Sequence, residues 1–147
     1  MAPKPGARVE DYKYWTDERV RFNDLDVLGH VNNIAYAIYV ETGRAGFMSQ
    51  IGLWVMHSHI ANVIARTEMD YLREVQFPAQ LRIGVNVLAI GTRSFTLGIG
   101  IFNGDDCVLL ARNVIVRFDS ETRGSVPLDE EARARLLPYL LANHPNG

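Results

Sequence analysis

The 147-residue sequence contains one cysteine, Cys107. A single thiol excludes an intrachain disulfide framework, a cysteine-based zinc site and a Cys-X-X-Cys redox pair. It also fits a reducing compartment. Long apolar runs are missing too: no stretch of about 18 apolar residues occurs, and the opening "MAPKPGARVEDYKYW" lacks the apolar core of a signal peptide. A cytoplasmic protein with no membrane partner is therefore expected. The formal net charge is −2, so no basic field would gather nucleic acid. No Gly-x-Ser-x-Gly elbow is present, which removes the usual setting for a serine nucleophile.

What is present is an ordinary globular composition, 48% apolar and 22% charged. One domain over residues 1–147 is expected, with residues 1–10 as a loose polar arm. "ERVRF" (18–22) reads as a short strand, and a helix is predicted from about Asn33 to Gln50. The period then changes to two in four segments, 62–72, 81–90, 94–102 and 107–118. Leu81, Ile83, Val85, Val87 and Ala89 would share one face, and Phe95, Leu97, Ile99 and Ile101 the facing one. Gly91-Thr92 and Asn103-Gly104-Asp105-Asp106 are hairpin signals, and Phe77-Pro78-Ala79-Gln80 separates the earlier pair. Antiparallel neighbours are expected from connections this short. A terminal helix is expected over 127–141, limited by Pro138. The order predicts an α+β fold, one antiparallel sheet packed on one main helix.

On a helical wheel, Ile34, Ile38, Ala45 and Met48 form one stripe with Ala37 beside it, which predicts the core-facing side. Tyr39, Thr42, Ser49 and Gln50 fall opposite. Gly43 and Gly46 predict close approach of another backbone. Glu41 sits inside the apolar stripe, where a carboxylate must be hydrogen-bonded, ion-paired or protonated. Two readings stay open: a salt bridge to Arg44 or Arg66, or a polar group lining an active site.

"RFNDLDVLGHVNNIAY" (21–36) crowds Asp24, Asp26, His30, Asn32 and Asn33 at the mouth of that helix. The residue types alone suit an ordinary turn and N-cap. Their position also suits chemistry. Unpaired N–H groups of a first helical turn, with the dipole behind them, would stabilise an oxyanion. One such donor is worth roughly 2.7–4 kcal/mol of barrier. A neighbouring carboxylate could attack the carbonyl or take a proton from water, the latter worth about 10²–10⁴ in rate. This pair suits a thioester, because a thiol with a pKa of about 8.5 leaves as thiolate without obligatory protonation.

The segment "RFNDLDVLGHVNNIAYAIYVETGR" (21–44) resembles the opening motif of the hotdog-fold thioesterases of the 4-hydroxybenzoyl-CoA thioesterase type; "MDYLREVQF" and "GTRSFTL" are also similar to that group. The resemblance runs loosely over residues 15–118. It implies a hotdog fold, a sheet wrapped around one long central helix, and hydrolysis of an acyl-CoA thioester. Asp26 matches the family's catalytic carboxylate, as nucleophile or general base, and Gly29 the loop glycine. Asn33 matches the position whose backbone N–H polarises the carbonyl. Glu41 and Arg44 match a Glu-x-x-Arg pair of the bacterial branch. One branch carries a histidine at the Asn33 position, whereas here the imidazole is His30, so the "GHVNN" wording is closer to thioesterases of mixed chain-length preference. His30, Asn32 and Glu41 are expected on the substrate side. Arg93 is the candidate for a coenzyme A phosphate, with Arg82 or Arg66 as substitutes. Coenzyme A enters only as part of the substrate, and no cofactor is implied. A homodimer or homotetramer is implied, with sheets paired edge to edge and the site at the interface. An acyl-carrier-protein thioesterase and a non-catalytic acyl-CoA-binding protein are the alternatives.

Other signals fit duller roles. His57 and His59 would share one strand face, but sequence neighbours supply no third ligand, so no metal is expected. "YKYW" (12–15) carries one lysine among acids, a poor groove for single strands and a better edge-strand packing element.

Overall fold

Alternating apolar residues build the frame of the protein, described here for residues 4–142 by a computed structural model. The strands are β1 (Tyr14–Arg19), β2 (Ile60–Tyr71), β3 (Gln80–Ile90), β4 (Ser94–Asn103), β5 (Asp106–Asp119) and the short β6 (Gly124–Ser125). They form one antiparallel sheet in the order β1-β3-β4-β5-β2, with β6 beside β5. The helices are α1 (Asn33–Gln50) and α2 (Glu130–Leu136).

The expected inward faces are the inward faces. Leu81, Ile83, Val85 and Val87 of β3 are buried, as are Phe95, Leu97, Ile99 and Ile101 of β4. A register shift between Val87 and Ala89 ends the alternation, and Leu88 is buried instead of Ala89. The first strand lies earlier than expected, at Tyr14–Arg19, because 20–22 already turn toward the helix. β2 and β3 are not neighbours either. The connection 72–79 crosses the open end of the sheet, and its Val75 carbonyl accepts the Val31 N–H (2.9 Å) rather than closing a hairpin.

The wheel chose the wrong side of α1. Ala35, Tyr36, Tyr39, Val40, Gly43 and Phe47 are buried against the sheet, together with Met48. Ile34 and Ile38 are 69% and 52% exposed, and Ala37, Glu41 and Ala45 are exposed with them. Both sides of the helix are apolar, and the sheet takes the side with aromatic volume. Gly43 permits this, since a Cβ there would stand 2.5 Å from Ile83 Cγ2. The close approach at Gly43 and Gly46 is therefore to the side chains of Ile83 and Tyr14, not to a backbone.

The outer face of the sheet is covered by the N-terminal segment. Tyr12 packs edge-on to Phe102 (5.7 Å) and Trp15 (5.4 Å), and its hydroxyl donates to the Gly6 carbonyl (2.7 Å). Within residues 4–10 Gly6 is buried, while Lys4, Pro5, Arg8 and Glu10 are exposed. The "YKYW" run packs the β1 edge. The C-terminal helix spans Glu130–Leu136 and passes into a single 3₁₀ turn containing Pro138.

Candidate active site

The loop between β1 and α1 is organised by its own acids. Asp24 Oδ2 accepts the N–H of Arg21 (2.9 Å) and the hydroxyl of Tyr39. The Asp24 carbonyl accepts the N–H of Asn32 (2.8 Å). Asn32 is the N-cap of α1, its Oδ1 accepting the Ala35 N–H at 2.8 Å. Asp24 therefore fastens the loop to the start and the middle of the helix.

Asp26 closes the next turn. Its Oδ1 accepts the Leu28 N–H (2.8 Å) and, at longer range, that of His30 (3.4 Å). Its own N–H donates to the His30 carbonyl (2.8 Å), and its carbonyl accepts from Gly29 (3.0 Å). Gly29 has φ +79°, a conformation that a residue with a Cβ adopts at a cost. One carboxylate oxygen thus holds the turn. The other, Oδ2, has no protein hydrogen-bond partner among the described residues, and the side chain is exposed.

Asp26, His30, Asn33, Tyr36 and Tyr71 share the wall of a cavity of about 390 Å³. Asn33 is the first residue of α1. Neither its N–H nor that of Ile34 finds an acceptor among the described residues, since Asn32 caps the third amide instead. The residue with the free carboxylate oxygen, Asp26, and the first residue of the helix, Asn33, therefore border one space. His30 enters from the same loop, with Nε2 3.2 Å from Glu74 Oε2. Burial pushes the Tyr36 hydroxyl above the usual phenol range, with Glu74 adding to the effect, so Tyr36 stays neutral beside the cavity.

The remaining expected residues lie elsewhere. Asn32 does not reach the cavity wall and serves as the cap. Glu41 is about two turns further along α1, roughly 12 Å by helix rise. It borders a second cavity of about 460 Å³ with Arg44, Trp54, Val55 and Met56. Neither expected ion pair of Glu41 is realised: Arg44 donates to Asn113 Oδ1 (3.1 Å), and Arg66 pairs with Glu68 (2.6 Å). Burial lowers the Arg44 pKa, and Glu41 partly offsets this. Arg93 follows β3 at the far end of the sheet, roughly 30 Å of strand from the Asp26 end. It donates to the Ser125 carbonyl (2.6 Å). His57 sits in the segment before β2 with φ +64°, so the two histidines do not share a strand face.

Sequence reasoning missed Tyr36, Tyr71, Arg73 and Glu74, which also line the Asp26 cavity. Tyr36 was findable, because it stands one turn after Asn33 on the same side of the helix. The other three arrive with the end of β2 and the crossing segment after it, which local pattern did not place.

Comparison with known proteins bears on the fold and the family. A family model described as the thioesterase-like superfamily matches residues 20–136. The uncharacterized protein YsmA of Bacillus subtilis (strain 168) is 30% identical over 128 residues, 86% of each chain. A thioesterase from Thermus thermophilus, solved in complex with coenzyme A and Zn, is 29% identical. It superposes with a TM-score of 0.76 over 85% of this chain and 98% of that one. The PA5185 protein of Pseudomonas aeruginosa PAO1 shares the fold at a TM-score of 0.84, with 22% identity over 92% of this chain and 97% of that one. The chain belongs to the thioesterase-like superfamily; it is a hotdog-fold thioester hydrolase.

Proposed function

We propose that the protein hydrolyses an acyl-CoA thioester to free acid and coenzyme A, with Asp26 as the catalytic carboxylate. The observation that carries this reading is the shared cavity: Asp26 and Asn33, whose helix-start amide has no acceptor among the described residues, line one space. The thioester carbonyl oxygen lodges at the helix mouth, where the Asn33 N–H donates to it. As general base, Asp26 takes a proton from water while the water oxygen bonds to the carbonyl carbon. The oxyanion collapses, the C–S bond breaks, and the thiolate leaves and gains a proton from solvent. As nucleophile, Asp26 displaces the thiolate to give a mixed anhydride, which water then cleaves. His30 borders the same space as a substrate contact. Coenzyme A rather than a carrier protein is favoured by the Thermus thermophilus relative, which was solved with coenzyme A.

We also propose that a second copy completes the site. β2 ends the sheet and leaves one edge unpaired, and α1 exposes Ile34 and Ile38. Arg44 on α1 donates to Asn113 on β5, which donates to Thr67 Oγ1 on β2 (3.2 Å), so the helix is tied to this edge. The cytoplasm is the proposed location.

The test is hydrolysis of short, long and aromatic acyl-CoAs, compared with the same acyl groups on carrier protein. Turnover of at least one acyl-CoA above its carrier-protein counterpart supports the reading. Turnover of carrier-protein thioesters alone moves the substrate class. Binding without turnover makes the protein a non-catalytic acyl-CoA binder.

A further inference from the structure

At the opposite end of the sheet from Asp26, three side chains from separate segments converge. His59 immediately precedes β2, Asp119 ends β5, and Glu121 lies in the turn that follows. One imidazole nitrogen and one oxygen from each carboxylate all lie within 4.8 Å of one another. A zinc-class ion needs such donors about 2.0–2.2 Å from itself. His59 and Glu121 are exposed and Asp119 is half-buried, so closing on an ion falls mainly to the first two side chains.

Two of the three are already fixed. Ser120 donates to the His59 carbonyl through its N–H (2.9 Å) and its hydroxyl (3.2 Å), so His59 is anchored beside Asp119. Asp119 Oδ1 accepts the Glu121 N–H (2.8 Å), which leaves Oδ2 without a protein partner among the described residues. Charge is unbalanced as well. Among the described residues no Lys or Arg nitrogen comes within 4.0 Å of either carboxylate, so no side-chain cation occupies the cluster. Two carboxylates without a Lys or Arg partner, together with an imidazole, make a mixed nitrogen–oxygen donor set. That set favours a divalent transition metal over magnesium, which prefers oxygen alone.

We propose that His59, Asp119 and Glu121 bind one divalent transition-metal ion of the zinc class, which clamps the segment joining α1 to β2. That segment carries Trp54, Val55 and Met56, the exposed apolar wall of the 460 Å³ cavity. His59 is its last residue before β2. The ion holds the end of this wall against the β5 turn. It lies far from Asp26 and takes no part in the hydrolytic step.

The test is calorimetric titration of the full, tag-free chain with Zn²⁺, repeated with Mg²⁺ and on His59→Gln, Glu121→Gln and His57→Gln. Amide hydrogen exchange of residues 54–58 is followed with and without zinc. Expected are one zinc per chain, no comparable magnesium binding, and affinity weakened about tenfold or more in His59→Gln and Glu121→Gln. His57→Gln should bind as the parent does, and exchange at 54–58 should slow on zinc addition. All three replaced side chains are exposed, so melting temperatures without zinc should match the parent. Absence of saturable zinc binding overturns the site, as does equal affinity in parent and His59→Gln. Zinc binding that leaves exchange at 54–58 unchanged overturns the clamp.

Discussion

The Tyr39 hydroxyl donates a hydrogen bond to the Asp24 carboxylate, joining the middle of α1 to the loop that carries Asp26. The same carboxylate holds the Arg21 N–H, and the Asp24 carbonyl holds that of Asn32. One buried tyrosine thus governs where the loop sits over the helix mouth. Tyr39→Phe removes the donor and keeps the ring. A hydrogen bond to a charged group is worth about 1.5–3 kcal/mol, so urea denaturation should show a loss of that size. Turnover should fall with it.

The N-cap predicts a smaller effect. Asn32→Ala leaves the Ala35 amide without its side-chain acceptor. The expected cost is about 0.5–2 kcal/mol by urea denaturation. Asn32→Asp or Asn32→Ser should recover most of it.

Cys107 gives a test in alkali. Burial pushes its thiol up from 9.0 to about 11. Tyr39 and Tyr12 are also held above the usual phenol range, chiefly by burial. A raised acid pKa leaves stability intact below the unfolded value; stability is lost as pH rises, because the unfolded chain ionises first. Thermal stability should therefore decline between pH 9 and about 11, and Cys107→Val should flatten part of that decline. At pH 8 the folded thiol should react with a disulfide reagent more slowly than a free cysteine by about tenfold or more, since its smaller thiolate fraction outweighs its greater nucleophilicity.

β3 and β4 were legible in the sequence because each packs one face on the core, and a period of two survives in "LRIGVNVLAI" and "SFTLGIGIF". The partner of β2 was not legible. A short Pro-containing connection looks like a hairpin, and only the tertiary pairing of Val31 with Val75 shows that the chain crosses instead. The helix face failed for a related reason. Ile34 and Ile38 are at least as apolar as Tyr36 and Tyr39, and hydropathy does not tell the core face from an exposed apolar one. Within the site, Asp26, His30 and Asn33 were readable from the ordered string, whereas Glu41 and Arg93 border other regions of the chain.

That exposed helix side predicts self-association. Burying an isoleucine contributes about 1.5–3 kcal/mol, so Ile38→Glu should weaken the dimer at least about tenfold. Light scattering should show the parent as a dimer or larger and the variant shifted toward monomer. Thioesterase activity should fall with dissociation.

The decisive measurement is single-turnover hydrolysis of an acyl-CoA by Asp26→Asn. Asparagine keeps the side-chain oxygen that accepts the Leu28 N–H, so the turn is retained while the base or nucleophile is lost. The rate should drop by about 10²–10⁴, with acyl-CoA affinity within a few-fold of the parent. Hydrolysis at the parental rate would contradict the role of Asp26.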